Sequence, residues 1–227
     1  MTYLELINKV LRGLRERTVS DLAADYTLLV GQFVNEAKDE VERAWRWKAL
    51  RTDITFNTVS GTQDYNLGTG GVGSGGTTTQ KSSLVYNDRK EPQLFVTTEG
   101  SEGRLIEVPR ERHKEMIAYD ENGNQSPSLF SMKRSSTGIT LSLYPKPDGA
   151  YAMQGTFYIP QDELSVYSTT ISVPSEPVWK LALAFAASER GGGLGEQVPI
   201  LMGKANAALW AAITEESEDG ELTLYEE

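Results

Sequence analysis

The chain has 227 residues, 39% of them hydrophobic and 24% charged, and 22 Lys and Arg against 32 Asp and Glu leave a formal net charge of −10. That length suits one large domain or two small ones, and the apolar share excludes a chain disordered throughout. With no cysteine there is no disulfide framework, thiolate metal site or cysteine nucleophile, and a single histidine, His113, excludes His-rich metal sites.

The chain reads as helix, then strand, then helix. Thr2 with Glu5 three positions on fits a capping box, in which each side chain satisfies an orphan amide of the first turn. Tyr3, Ile7, Val10, Leu11 and Leu14 then recur at helical spacing, with Asn8, Lys9, Arg12 and Arg15 on the other face. A second helix is predicted from about Asp25 to Leu50. Its apolar stripe is Leu29, Val30, Phe33, Val34, Ala37, Val41, Ala44 and Trp45. Glu36, Lys38, Asp39, Glu40 and Glu42 are expected to face water. Trp45 falls on the stripe and is assigned to the core, whereas Trp47 falls off it. A short turn near Ser20 makes the two helices an antiparallel hairpin.

After Leu50 the period changes to two. Ile54 and Phe56 alternate with Thr and Asn, and Ser60-Gly61 followed by Tyr65 and Leu67 predicts a β-hairpin. Residues 68–80 hold six glycines and no large side chain except Val72, so they are expected to form a flexible, solvated loop. Further strands are predicted at 83–86, 93–97, 139–144 and 151–159, and a short helix at 109–119. Strands at this spacing suggest a compact antiparallel sandwich or barrel.

The helical period then returns. Ser175 is expected to cap a helix with Glu176 and Pro177 in its first turn, and Gly191 to Gly193 end it. Residues 178–187 are apolar on almost every face apart from Lys180, so they need burial in a bundle or against another copy of the chain. A last helix, about 197–214, carries Leu201, Ala205, Ala208, Leu209 and Ala212 along one side. The predicted class is therefore α+β. A helical bundle built from residues 1–50 and 174–214 carries an inserted β-rich region at 51–173, followed by an acidic C-terminal tail at 215–227.

The charge follows the same division. Residues 215–227 hold seven acids and no base, and the remaining acidic excess, three charges, lies in 51–173. A body so near neutrality lacks the basic excess that drives phosphate neutralisation on nucleic acid. No apolar run exceeds seven residues (181–187 and 207–213), where a bilayer span needs about 20. No secretory signal is expected at the start.

Sequence motifs for chemistry are weak. The glycine run lacks the lysine of a phosphate-binding loop, and Gly191 to Gly195 ends a helix instead of opening one after a strand. His113 lies in RERHKE, a charge cluster expected to be exposed. Pairs such as Asp162-Glu163 and Glu107-Glu111 are expected by chance among 32 acids, and no spaced acidic motif for a metal is present. The reading is that the chain is not an enzyme and carries no cofactor or metal.

The ordered segments MTYLELINKVLRGLRE, AWRWKAL, ITFNTVSGTQDYNL, SPSLFSMKRSSTGITLSLYPKPDGAYAMQGTFYIP and VPSEPVWKLALAFAASERGGG resemble the head-to-tail adaptor proteins of tailed bacteriophages. That group includes tail tubular protein A of short-tailed phages. The glycine-rich stretch 68–80 looks like an insertion relative to the family pattern. The resemblance implies a structural virion protein assembled in the bacterial cytoplasm. It implies a homo-oligomeric ring of about twelve copies at the head-tail junction, extending the channel through which DNA leaves. Its implied partners are the portal protein above and a tail or nozzle protein below, with DNA passing through the lumen without specific binding and no membrane involved. Val178, Trp179, Leu181, Leu183 and Phe185 are the ring-interface candidates. Leu222, Leu224 and Tyr225 in the tail are the portal-contact candidates, since ELTLY can add a strand to a sheet edge. A competing reading is a β-rich receptor- or carbohydrate-binding tail component with helical oligomerisation arms, marked by Tyr86, Phe95, Tyr144, Tyr151 and Tyr158.

Overall fold

The computed structural model describes residues 1–21, 25–87, 89–97, 103–119 and 123–221. The chain divides into two compact units, a helical one of residues 1–49 with 161–227 and a β-rich one of residues 50–160. The class is α+β, with the terminal helices flanking the strands in sequence. Residues 161–173, read with the strands from sequence, belong to the helical unit.

The helical unit contains α1 (Tyr3–Gly13), α2 (Asp25–Ala44), α4 (Ser175–Arg190), the single turn α5 (Gly192–Gly195) and α6 (Val198–Glu221). At the start of α1 the capping box closes as expected. The Thr2 amide donates to Glu5 Oε2 at 2.8 Å, and the Glu5 amide donates to Thr2 Oγ1 at 3.3 Å. Tyr3, Leu6, Ile7, Val10 and Leu11 are buried. Helix α4 is the centre of the unit and packs on α6, α2 and α1. Gly13 permits the α1–α4 approach, since a Cβ there would lie 2.7 Å from Leu183 Cδ2. Ser175 is the first residue of α4 and not its cap; the N-cap is Pro174, without a side-chain hydrogen bond.

Two expectations about α2 are reversed. The helix ends at Ala44, so the 3.6-residue period does not extend to the tryptophans that follow. Trp45 is exposed, and Trp47 is buried with its Nε1–H donating to Val41 O at 2.7 Å. Lys38 and Glu42, expected in water, are both buried. Lys38 Nζ donates to Gln161 O at 2.6 Å and Asp162 O at 3.2 Å, and sits 3.3 Å from Asp39 Oδ1 and 3.5 Å from Glu42 Oε1. Asn35, one turn earlier, exchanges hydrogen bonds with the backbone of Leu164 (3.0 and 2.9 Å). One polar face of α2 thus pins the irregular segment that follows Pro160, supplying its backbone groups with partners.

The β-rich unit has two four-stranded sheets. In the first, β8 (Ala152–Tyr158) pairs antiparallel with β1 (Arg51–Asn57), β3 (Ser83–Leu84) and β4 (Leu94–Val96). In the second the order is β2 (Asp64–Asn66), β7 (Gly138–Tyr144), β6 (Leu129–Ser135) and β5 (Ile106–Glu107), with β5 parallel to β6. The topology is therefore mixed and not purely antiparallel. The expected hairpin of residues 54–67 is absent: β1 and β2 join different sheets. Both sheets feed one core that includes Ile54, Phe56, Leu94, Phe130, Leu141 and Phe157.

The glycine-rich segment is built into this unit. Ser74 exchanges backbone hydrogen bonds with Thr55 at 2.9 and 2.8 Å, and buried Thr78 accepts the Ile139 amide on Oγ1 at 2.9 Å. A Cβ at Gly68 would fall 1.8 Å from Thr137 O, and one at Gly71 would fall 2.1 Å from Asn66 O. These glycines serve close backbone approach, a packing role that side-chain hydrophobicity does not register.

Candidate functional site

Among the described residues, no side-chain constellation for catalysis stands out. His113 lies on α3 (Arg110–Ala118), where its neighbours are largely exposed but its own ring is buried and meets Tyr144 edge-on at 6.2 Å. This corrects the expected exposure, and burial holds the imidazole pKa below its ordinary value. The nearby Ser142 hydroxyl donates to Asp64 Oδ1 at 2.6 Å, while His113 bonds the Ser142 backbone. The serine proton is thus directed to the carboxylate and not to the imidazole, the reverse of a nucleophilic triad. Nor are four amides of the glycine segment free to hold an anion. The amides of Gly68, Gly71, Val72 and Ser74 already donate to Asn66 Oδ1, Gly68 O, Asn66 O and Thr55 O. Among the described residues, no group of three or more His, Asp or Glu is placed to hold a metal ion, and no helix is long and apolar enough to cross a membrane.

The aromatic residues that would mark a glycan-binding surface are engaged within the β-rich unit. Tyr86 donates to Glu107, and Tyr151 donates to Asp148 Oδ1 at 2.6 Å. Arg104 covers Phe95 at 5.2 Å from the ring centroid. Arg51 covers Tyr158 at 5.3 Å and donates to its hydroxyl.

The distinctive surface lies on the helical unit. Of the five ring-interface candidates, Val178, Leu181 and Leu183 are buried within the chain's own bundle, and Trp179 and Phe185 are half-buried. The all-round apolar character of α4 is accounted for by its central position, with other helices on several sides. Trp179 keeps a face at the α1–α4 seam, where Lys9 Nζ lies 5.3 Å and Lys180 Nζ 5.8 Å from its ring centroid. Lys180 is tied to Glu176 by a 2.6 Å ion pair, which lowers the Glu176 pKa.

Helix α6 carries the uncovered apolar face. Ala205 and Ile213 point into the bundle. At 100° per residue, Ile200, Gly203, Ala207, Trp210, Ala211 and Thr214 fall in one arc about 100° wide on the opposite side. All six are exposed, Ile200 at 61% and Trp210 at 68%, and none is charged. The stripe runs about 20 Å along the helix at 1.5 Å per residue. Between α2, α4 and α6 a groove of about 320 Å³ is floored by Val41, Ala44, Leu181 and Leu209. Helix α6 continues through Glu221, past the residue 214 expected from sequence. Where the acidic tail was expected, the Lys48 amide donates to Glu216 Oε1 at 2.5 Å. Leu222, Leu224 and Tyr225 lie outside the described residues.

Periodicity missed the α6 face because it lists which residues are apolar and not which neighbours cover them. The seven-residue run 207–213 was its only trace in the sequence. Against known proteins, residues 1–220 match the family model described as SU10 adaptor protein. No curated protein matches the chain.

Proposed function

Because the chain belongs to the SU10 adaptor protein family, we propose that it is a structural protein of the tailed-phage virion that joins the capsid portal to the tail. It acts by assembly, as a ring of about twelve copies whose repeated contacts close on themselves and extend the channel through which DNA leaves. The family match over residues 1–220 carries this reading. Supporting it is the uncharged, exposed outer face of α6, which a monomer leaves in water.

The charge distribution agrees with a conduit. The β-rich unit, residues 50–160, holds 11 bases and 12 acids, so it has no excess of positive charge with which to retain a passing polyanion. Trp179 and Phe185 stay candidates for inter-copy contact, whereas Val178, Leu181 and Leu183 act by building the bundle that presents them. A portal contact by Leu222, Leu224 and Tyr225 remains part of the proposal.

The test is to mix the purified chain with its portal, measure the mass of the product, and image it by electron microscopy. Rings of about a dozen copies seated on the portal are expected. A chain that stays monomeric and does not bind the portal would overturn the reading.

A further inference from the structure

We propose that α3 is an acid-released latch: protonation of His113 frees this helix from the outer face of the second sheet while the two sheets stay folded. The latch lies wholly within the β-rich unit and is independent of ring assembly.

Helix α3 has nine residues, fewer than the ~12–15 at which an isolated helix holds in water. Its N-cap, Pro109, makes no side-chain hydrogen bond, and its last turn carries no base, so its ends add little. The helix therefore persists by docking. Six of its residues are exposed, Met116 and Ile117 are half-buried, and His113 alone is buried, at 1% exposure. The side chain that fixes the helix to the sheet is thus one that titrates near neutral pH.

The docking surface is the face of the sheet turned away from the core. Helix α3 packs on β6. Phe130 of that strand belongs to the core, so Ser131 points to the other face, where it is only 3% exposed. Ser131 is opposite Ser142 in the register of β6 and β7. His113 bonds the Ser142 backbone and meets the Tyr144 ring edge-on.

This setting accepts a neutral imidazole and opposes an imidazolium. Nε2 is buried without a hydrogen-bond partner. Ionisation makes both ring nitrogens donors, which leaves one buried donor without an acceptor. The carboxylate that acts on the ring is Asp64 of β2, and it already accepts the Ser142 hydroxyl at 2.6 Å. Burial outweighs the attraction of Asp64 and holds the imidazole pKa below its ordinary value. Arg110, Glu111, Arg112, Lys114 and Glu115 of α3 are exposed, as is Lys133 of β6, and water and salt screen them. Tyr144 adds no charge at neutral pH or below.

Release lets the imidazolium hydrate. One proton is taken up, so the ratio of released to docked helix rises by up to about tenfold per pH unit between the ordinary imidazole pKa of about 6.5 and the lower value in the fold. Above that window the ratio is constant. Release uncovers Ser131 and the Tyr144 ring, a surface offered only in acid.

The chain has no cysteine and one histidine, so a single introduced thiol and the single imidazole each report without overlap. Ser131→Cys places a thiol beneath α3. Ser82→Cys, at a position 0% exposed, places one in the β-rich unit as a control for its global unfolding. Labelling by a thiol reagent is followed from pH 8 to 5 in each full-length variant, and each rate is divided by that of the same chain unfolded in urea at the same pH. The wild-type imidazole is titrated by NMR. Protection of the Ser131→Cys thiol should be constant from pH 8 to 7 and fall by at least about fivefold by pH 5. The Ser82→Cys thiol should stay protected, and the imidazole midpoint should lie below about 6.5. Adding His113→Gln or His113→Leu, uncharged at every pH, should remove the pH dependence at position 131. Should neither variant dock α3, the wild-type titration and the two thiol profiles decide alone. Equal relative labelling of the Ser131→Cys thiol at pH 8 and 5 overturns the latch. So does loss of protection at both positions together, which means that the whole unit unfolds, or an unchanged pH dependence in both His113 variants.

Discussion

Replacing Lys38 with methionine tests the buried charge cluster on α2. The side chain keeps its length and loses the ammonium. That strands the Glu42 carboxylate, whose side chain is only 3% exposed, and it removes the donor to Gln161 O and Asp162 O. Removing one partner of a buried pair costs about 3–5 kcal/mol, a large part of the roughly 5–15 kcal/mol that holds a domain folded. The sign with pH follows from Glu42. Burial already raises its pKa and Lys38 lowers it, so losing Lys38 raises it further. A carboxyl whose pKa is higher in the fold than in the unfolded chain binds more protons when folded, so stability recovers as pH falls from 8 toward 5. The recovery is at most about 1.4 kcal/mol per pH unit between the two pKa values. All four tryptophans belong to the helical unit, so tryptophan fluorescence in urea reports this unit alone. Lys38→Met with Glu42→Gln removes both charges, keeps an acceptor for the Gln161 amide, and should restore at least half the loss. A loss under about 1 kcal/mol, or one equal at pH 5 and 8, would refute the reasoning.

Other expected outcomes follow from single positions. Trp47→Ala should cost about 3–5 kcal/mol and Trp45→Ala under about 1 kcal/mol, a difference readable by urea titration. Thr2→Ala removes the N-cap acceptor of α1 and should cost about 1 kcal/mol by the same assay. Gly68→Ala drives a Cβ into Thr137 O and should disrupt the β-rich unit, seen as lost strand dichroism while the tryptophan transition stays in place. Gly149→Ala, which meets nothing within 4 Å, is its neutral control. His113 is held neutral by burial, with its pKa depressed. The stability this gives is present above the unfolded imidazole pKa and lost as pH falls below it, and His113→Leu should flatten that dependence in thermal melts of the β-rich unit.

Much of the architecture was legible because it rests on local rules. The capping box at Thr2 and Glu5, the stripe of α1 and the alternation of β1, β7 and β8 each follow from nearest-neighbour chemistry. The failures share a physical cause: residue type stood in for surroundings. Lys38 was sent to water as a lysine, yet the carbonyls of Gln161 and Asp162, more than 120 positions away, solvate it inside the unit. The glycine segment 68–80 has Val72 as its one large apolar side chain, yet its backbone finds partners on Thr55 and Leu67. Strand β6 went unread because its outer half is Lys133 and Arg134, although its inner half sets Phe130 in the core.

The candidate interface shows the same limit. Two runs of seven apolar residues, 181–187 and 207–213, are nearly equivalent in composition, and the more uniformly apolar helix was assigned the contact between copies. Burial distinguishes the two helices. Helix α4 meets other helices on several sides and keeps little for a neighbour, whereas α6 packs chiefly on α4 and leaves Ile200 and Trp210 in water. An apolar stripe marks a partner surface only after the chain's own contacts are subtracted, because a central helix and an interfacial one both lack a polar face.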